Sequence, residues 1–354
     1  MSLLEKMLKS GSIKGASVLA KSSFFNTKES IPTDLPILNI AFSGSLDGGL
    51  LPGLTVVAGA SKSFKTMLSL YCMKAYLDKY KDGVAILYDS EFGITPEYIN
   101  SFDIDIERVV HIPIMNIEEL KFDIVSRLNE IEKKDKVFIM IDSIGNVASK
   151  KEVEDAENEK SVADMSRAKQ LKSLFRIITP HLTTKNIPCL AINHIYMEQG
   201  LYPKAIVSGG TGIYYSANQI FIISKSQEKD GDHLSGFKFT INIEKSRYVR
   251  EKAKLPFTVL YNSGVQKWSS LFELAQEAGF IVKPKVGWYA LVDQTTGEIS
   301  EKSYRAKDIE NDDSFFEKLV KDEKFKEFVE KKYKLSGSNE SDEPQNVDDE
   351  EDDY

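Results

Sequence analysis

The chain has 354 residues, 42% hydrophobic and 28% charged, which suits roughly two folded domains and excludes a wholly disordered protein. The net charge of −8 sits at one end: Leu335–Tyr354 hold nine acids and no Lys or Arg, and the remaining 46 basic and 45 acidic residues leave the body near neutral, so a basic DNA-binding face is not excluded. Two distant cysteines, Cys72 and Cys189, exclude a disulfide framework or zinc motif, and apolar runs of about five residues fall short of the ~20 that a membrane span needs. With no apolar signal core in Met1–Ser12, we expect a soluble intracellular protein in a reducing compartment, without membrane contact.

Residues 1–31 read as a short N-terminal segment with Leu3, Leu4, Met7 and Leu8 on one helix face. That face packs either on its own domain or on a neighbouring subunit, and Ser22-Ser23-Phe24-Phe25 is a second candidate anchor. Residues 32–270 alternate short apolar runs with helical patterns. Leu54–Ala58, Val84–Tyr88, Val137–Ile141, Cys189–Ile192 and Gln219–Ile223 have the unbroken apolar character of strands buried on both faces. Helical spacing covers Thr66–Asp78, Ile117–Lys133 and Asp164–Thr179. This alternation predicts an α/β core with a mostly parallel twisted sheet flanked by helices. Phe237–Glu244 and Leu255–Tyr261 are two further predicted strands. Residues 271–335 predict a small α+β C-terminal domain, with a helix over Leu271–Ala278, a strand over Gly287–Asp293 and a charged amphipathic helix over Ser314–Tyr333. Residues 336–354 have the composition of a disordered acidic tail.

Gly59-Ala60-Ser61-Lys62-Ser63-Phe64-Lys65-Thr66 follows one predicted strand and opens a helix, the context of a phosphate-binding loop. Backbone N–H groups there can wrap phosphates at a helix N-terminus. Lys65 is placed to reach the β/γ-phosphates of a nucleotide, and Thr66 to hold Mg²⁺ through its hydroxyl. Phe64 stands where such loops carry a second glycine, and its β-carbon restricts the backbone. Asp142 ends the apolar run Val137–Ile141. An acid at that strand end either steadies Mg²⁺ or caps the segment that follows. Glu91 follows the run Val84–Tyr88, where it either orients an attacking water as a general base or faces solvent.

Together, Gly59–Thr66, Asp89-Ser90-Glu91 with Phe92-Gly93-Ile94-Thr95-Pro96, Ile141-Asp142-Ser143, Ile192-Asn193-His194, Gly209-Gly210-Thr211-Gly212 and Glu244-Lys245-Ser246-Arg247 resemble the RecA-type recombinase family. The resemblance runs to about Gly337. It implies an RecA-like P-loop ATPase core and an ATP-dependent helical filament of many copies on single-stranded DNA, which pairs that strand with homologous duplex. It implies ATP and Mg²⁺ as cofactors, Glu91 as catalytic glutamate, Tyr98 as the aromatic stacked on adenine, and Lys245 and Arg247 as a basic pair reaching the next subunit's ATP. Which of these two, Arg250, Lys252 and Lys254 reaches it stays open. His194 stands where the family carries a glutamine that senses the γ-phosphate. Histidine can also hydrogen-bond a phosphate or water and adds pH sensitivity.

Two long segments, Asn146–Ala163 and Tyr196–Tyr214, lack strand pattern and resemble the family's two mobile DNA-binding loops. Gly209, Gly210 and Thr211 lie in the second, where glycine lets backbone N–H groups approach phosphate. Lys169, Lys172 and Arg176 share one face of the predicted helix Asp164–Thr179, suited to sequence-independent phosphate contacts or simply to solvent. The resemblance also implies a phage protein acting in the cytoplasm of a bacterial host. A phage single-strand-binding protein and a recombination mediator are then expected partners, beside single- and double-stranded DNA.

Overall fold

A computed structural model describes residues 2–12, 16–22, 29–158, 166–198, 203–230 and 233–335. The acidic tail, Phe24–Phe25 and parts of both candidate DNA loops lie outside the described residues. The N-terminal helix α1 (Leu3–Ser10) is closed at its start by a capping box between Ser2 and Glu5. Leu3, Leu4 and Met7 on it are exposed. α2 (Pro36–Ser43) was not anticipated: Ile37, Leu38, Ile40 and Phe42 are all buried, so it has no amphipathic stripe to read. Gly44 ends it at φ +74°.

The core then runs β1 (Gly53–Gly59), α3 (Lys65–Lys79), β2 (Val84–Asp89), α4 (Pro96–Asn100), β3 (Val109–Pro113), α5 (Ile117–Glu130), β4 (Val137–Asp142), α6 (Lys150–Glu157), α7 (Ser166–Thr184), β5 (Pro188–Asn193), β6 (Ile195–Met197), β7 (Ala205–Val207), α8 (Thr211–Ser216), β8 (Gln219–Asp230), β9 (His233–Ser246), β10 (Lys254–Leu260) and β11 (Gly264–Val265). Nine strands form one sheet in the order β11-β10-β9-β8-β1-β5-β4-β2-β3. β8 through β3 in that order are parallel, and β9, β10 and β11 extend the sheet antiparallel. The expected α/β sheet is therefore present, with two edge strands, β3 and the two-residue β11, that sequence reading missed. β3 is largely exposed and has no buried apolar run.

The pleat divides each apolar run between two layers. Val57, Ala85, Leu87, Phe138, Met140, Leu190 and Ile192 face α2 and α3. Leu54, Val56, Ile86, Tyr88, Ile139, Ile141, Cys189 and Ala191 face α5 and α7. On that side Ile117, Leu120, Ile124 and Leu128 of α5, and Leu171, Leu174, Phe175, Ile178 and Leu182 of α7, supply the helix stripes.

The last part contains α9 (Leu271–Glu277), β12 (Ile281–Lys285), β13 (Trp288–Leu291), α10 (Ala306–Glu310), α11 (Asp313–Leu319) and α12 (Glu323–Tyr333). The single helix expected over Ser314–Tyr333 is two. Asp322 breaks it by accepting the N–H groups of Lys324 and Phe325, which caps a new helix. Leu271, Phe316, Phe325 and Val329 join the same apolar cluster as α2 and α3. The chain then returns to the core, where Leu335 N–H donates to the Tyr248 carbonyl.

Candidate active site at the carboxyl edge of the sheet

Four neighbouring strands, β1, β5, β4 and β2, end at one edge, where an open α/β sheet presents its ligand crevice. Their last residues are Gly59, Asn193, Asp142 and Asp89. The phosphate loop, His194, Asp142 and Glu91 thus meet because parallel strands of similar length stop together. The cleft they enclose is about 380 Å³, and Tyr98 lies on its wall.

The loop closes around Lys65, which is 7% exposed. Its Nζ donates to the carbonyls of Gly59 (3.1 Å) and Ala60 (2.7 Å). Burial pulls this ammonium below its ordinary pKa, opposed by the carboxylates of Glu91 and Asp142. Ser61, Lys62 and Ser63 also line the cleft. Phe64 adopts φ +72°, the left-handed backbone that favours glycine. Its ring offsets that strain by packing at 5.2 Å from both Phe239 and Phe257. The β-carbon that made this loop look irregular is therefore accommodated by a change of backbone region.

The Thr66 hydroxyl donates to Asp142 Oδ2 at 2.7 Å. Burial raises the Asp142 pKa to about 6, against the Thr66 hydrogen bond, and the nearby carboxylates of Glu91 and Asp89 push it further up. Asp142 Oδ1 is buried with no hydrogen-bond partner among the described residues. A buried, orphaned carboxylate oxygen beside a hydroxyl is a hard-oxygen donor set, and it fits Mg²⁺.

Glu91 is held through one oxygen. Its Oε1 accepts from Ser143 Oγ (2.7 Å) and Asn146 Nδ2 (3.0 Å), and lies 3.3 Å from His194 Nε2. Its Oε2 has no hydrogen bond to a described residue, which leaves that oxygen to receive a water. The loop beneath is shaped by Asp89, 1% exposed, whose Oδ1 accepts the backbone N–H groups of Glu91 (2.9 Å) and Phe92 (2.8 Å). His194 reaches Glu91 across Gly145, where a β-carbon would stand 2.3 Å from His194 Cδ2.

Sequence reading missed Ser143, Asn146, Asp89 and Gly145 as parts of this site. The signal for the first two was their place just past Asp142; Gly145 carries none, because its role is a close approach. It also missed the far wall, made by Lys225, Phe237 and Tyr261, with Lys225 Nζ 3.6 Å from the Phe237 ring centroid. Tyr98 is half-buried, edge-on to Phe102. Of the basic pair, Lys245 donates to the carbonyls of Tyr214 and Ala217 of its own chain, while Arg247 is exposed.

The candidate DNA residues do not line the cleft. Lys169, Lys172 and Arg176 are exposed on α7, with no hydrogen bond or ion pair to another described residue. The two segments expected as loops contain structure, namely α6 in the first and the antiparallel pair β6–β7 with α8 in the second. Gly209 (φ +96°) and Gly210 (φ +78°) turn the chain from β7 into α8, which begins at Thr211. α8 lies close on α7, since a β-carbon on Gly212 would be 2.7 Å from the Lys172 side chain.

A family model described as the RecA N-terminal domain matches residues 1–266. One described as the C-terminal domain of the bacteriophage T4 recombination and repair protein matches residues 268–329. The recombination and repair protein of Enterobacteria phage T4 is 48% identical over 337 residues, covering 94% of this chain and 86% of that protein. Protein RecA of Aquifex aeolicus is 25% identical over 293 residues (82% of each chain), and protein RecA of Paracoccus denitrificans is 23% identical over 260 residues (72% and 71%). A sheet edge built for a nucleotide, a whole-length relative and a matching core model agree: this chain belongs to the RecA family of DNA recombinases.

Proposed function

We propose that this protein is a DNA-dependent ATPase that forms a helical filament on single-stranded DNA and uses it for homologous pairing and strand exchange with duplex DNA. The observation that carries this reading is Glu91, anchored through Oε1 by Ser143, Asn146 and His194, with Oε2 free among the described residues at the mouth of a phosphate-loop cleft.

In this reading the loop Gly59–Thr66 cradles the triphosphate and Lys65 exchanges its carbonyl partners for β/γ-phosphate oxygens. Thr66 and Asp142 hold Mg²⁺, which when bound neutralises charge on the phosphates. Glu91 Oε2 orients the attacking water, and His194, in contact with Oε1, registers the γ-phosphate. Tyr98 supplies a face for the base. Arg247, with Lys245, completes the cleft of the adjacent copy, where a cation stabilises phosphoryl charge. Segment 1–31, with Leu3, Leu4 and Met7 exposed, docks each copy on the next, the core spans 32–270, and residues 271–335 form the small C-terminal domain. Lys169, Lys172, Arg176 and the backbone at Gly209, Gly210 and Thr211 contact DNA phosphates. Action in the cytoplasm of a phage-infected bacterium, beside a single-strand-binding protein and a mediator, follows from the same reading. Among the described residues no helix is long and apolar enough to cross a membrane.

The test is ATP hydrolysis with and without single-stranded DNA, for the unaltered protein and Glu91→Ala. Strong stimulation by DNA, lost in the variant while ATP and DNA still bind, supports the reading. Hydrolysis indifferent to DNA points to a regulatory or motor ATPase on the same fold. DNA coating unaffected by ATP, without hydrolysis, points to a binding protein.

A further inference from the structure

Helix α7 carries a fourth cation that faces away from Lys169, Lys172 and Arg176. The Arg167 guanidinium is half-buried and donates to three backbone carbonyls: Nε to Val147 (3.0 Å), and Nη2 to Ile144 (2.8 Å) and Gly145 (2.8 Å). A guanidinium committed to three carbonyls is poorly placed to bind a DNA phosphate.

The turn it grips has no regular structure of its own. Yet this stretch, from Ser143 to Val147, supplies two of the three groups on Glu91. The Ser143 hydroxyl and the Asn146 amide both bond Oε1, and Gly145 lies under His194, the third. Within the turn, the Ile144 N–H ties to the Ile192 carbonyl of β5 (2.9 Å). From side chains, Ser90 Oγ donates to the Ser143 carbonyl (2.7 Å), and the carbonyls of Ile144, Gly145 and Val147 are held by Arg167. Buried carbonyls without partners are costly, so the turn and the start of α7 must move together.

We propose that Arg167 is a positioning residue that couples the DNA-facing helix to the catalytic glutamate, so that DNA seated on α7 sets the orientation of Glu91 through the turn Ser143–Val147. This rests on the reading of Glu91 as the group that orients water. Lysine is a poor substitute: a single ammonium lacks the planar fork that spans three carbonyls, although it would still bring a positive charge to a phosphate.

The experiment compares the unaltered protein with Arg167→Lys, Arg167→Ala, Asn146→Ala and the double variant Arg167→Lys/Asn146→Ala. It reads ATP turnover at saturating single-stranded DNA, KM for ATP, Kd for single-stranded DNA at two salt concentrations, and melting temperature. For Arg167→Lys we expect DNA-stimulated kcat to fall at least about tenfold, with KM for ATP within about threefold and Kd for DNA within about twofold at both salts. The double variant should be no more than about twofold worse than the poorer single variant, because both act on one turn. Full DNA stimulation in Arg167→Lys, together with weaker and less salt-sensitive DNA binding in Arg167→Ala, would overturn the proposal and make Arg167 a phosphate contact. Multiplicative losses in the double variant would overturn it as well. Should Arg167→Ala fail to fold, the lysine variant and the double variant decide the matter. If Glu91→Ala still hydrolyses ATP, the catalytic reading has failed; if that variant is inactive but Arg167→Lys responds normally to DNA, only the coupling has.

Discussion

In the cleft, Lys65, Asp142 and Glu91 are each held by another part of the chain, whereas on the outer face of α7 Lys169, Lys172 and Arg176 are left to solvent. In the proposed function, the difference follows from what each region must recognise. A reaction needs one geometry, so its groups are hydrogen-bonded in place, and burial shifts the pKa of Lys65 down and of Asp142 up. A surface that accepts any DNA sequence needs only charge at helical spacing, which long, mobile, hydrated side chains provide. α7 nevertheless reaches toward the cleft on its other face, where Arg167 donates to the carbonyls of Ile144, Gly145 and Val147.

The comparison breaks first at Glu91. Replacing it with alanine should lower DNA-stimulated turnover by about 10²–10⁴-fold, the usual range for a positioned general base, while filter binding shows DNA still held in the presence of ATP. A variant that turns over normally would remove the claim that the cleft is organised for chemistry.

Asp142 gives the next largest effect, and its sign depends on pH. Its folded-state pKa is raised to about 6, so the ionised carboxylate is the disfavoured form in the fold. The resulting loss of stability is present above about pH 6 and fades as pH falls through 6 into the ordinary carboxylate range. Without nucleotide or Mg²⁺, Asp142→Asn should therefore melt higher than the unaltered protein at pH 8, by up to roughly 3 kcal/mol, and lose that advantage by about pH 4. A difference that stays flat across this range would contradict the burial argument. With Mg²⁺ and ATP present the order should reverse, since the variant lacks the carboxylate.

Phe64→Gly sharpens the same region. Glycine relieves a left-handed backbone worth about 1–2 kcal/mol, but loss of a buried ring costs roughly 3–5 kcal/mol. Packing against Phe239 and Phe257 should win, leaving the variant about 2–3 kcal/mol less stable in urea unfolding. A stabilised variant would mean that strain, not packing, dominates this loop.

The smallest effect belongs to the solvent face. Removing Lys169, Lys172 and Arg176 together should reduce the slope of log K against log salt for single-stranded DNA by about 2, from roughly 0.7 per phosphate contact. The loss should be largest in low salt and shrink as salt rises. An unchanged slope would return these residues to an ordinary solvated face.

The unbroken runs around Leu54, Val84, Val137 and Cys189 made the parallel sheet legible, because strands buried on both faces cannot afford polar alternation. Gly59–Thr66, Asp142 and Glu91 were legible for a related reason: strand ends and residue types carry their chemistry locally. Other features needed the folded chain. α2 is buried all round and β3 is exposed, so neither shows the pattern that its class usually writes. The break at Asp322 is a capping decision, visible only once its carboxylate meets two N–H groups. The anchoring of Glu91 by Ser143, Asn146 and His194, the left-handed Phe64 packed on β9 and β10, and the turn of Arg167 toward Gly145 depend on distances between residues far apart in sequence. Local chemistry and periodicity belong to the sequence; which oxygen, ring or carbonyl each group finally meets is decided by the sheet order and helix packing that bring them within a few ångströms.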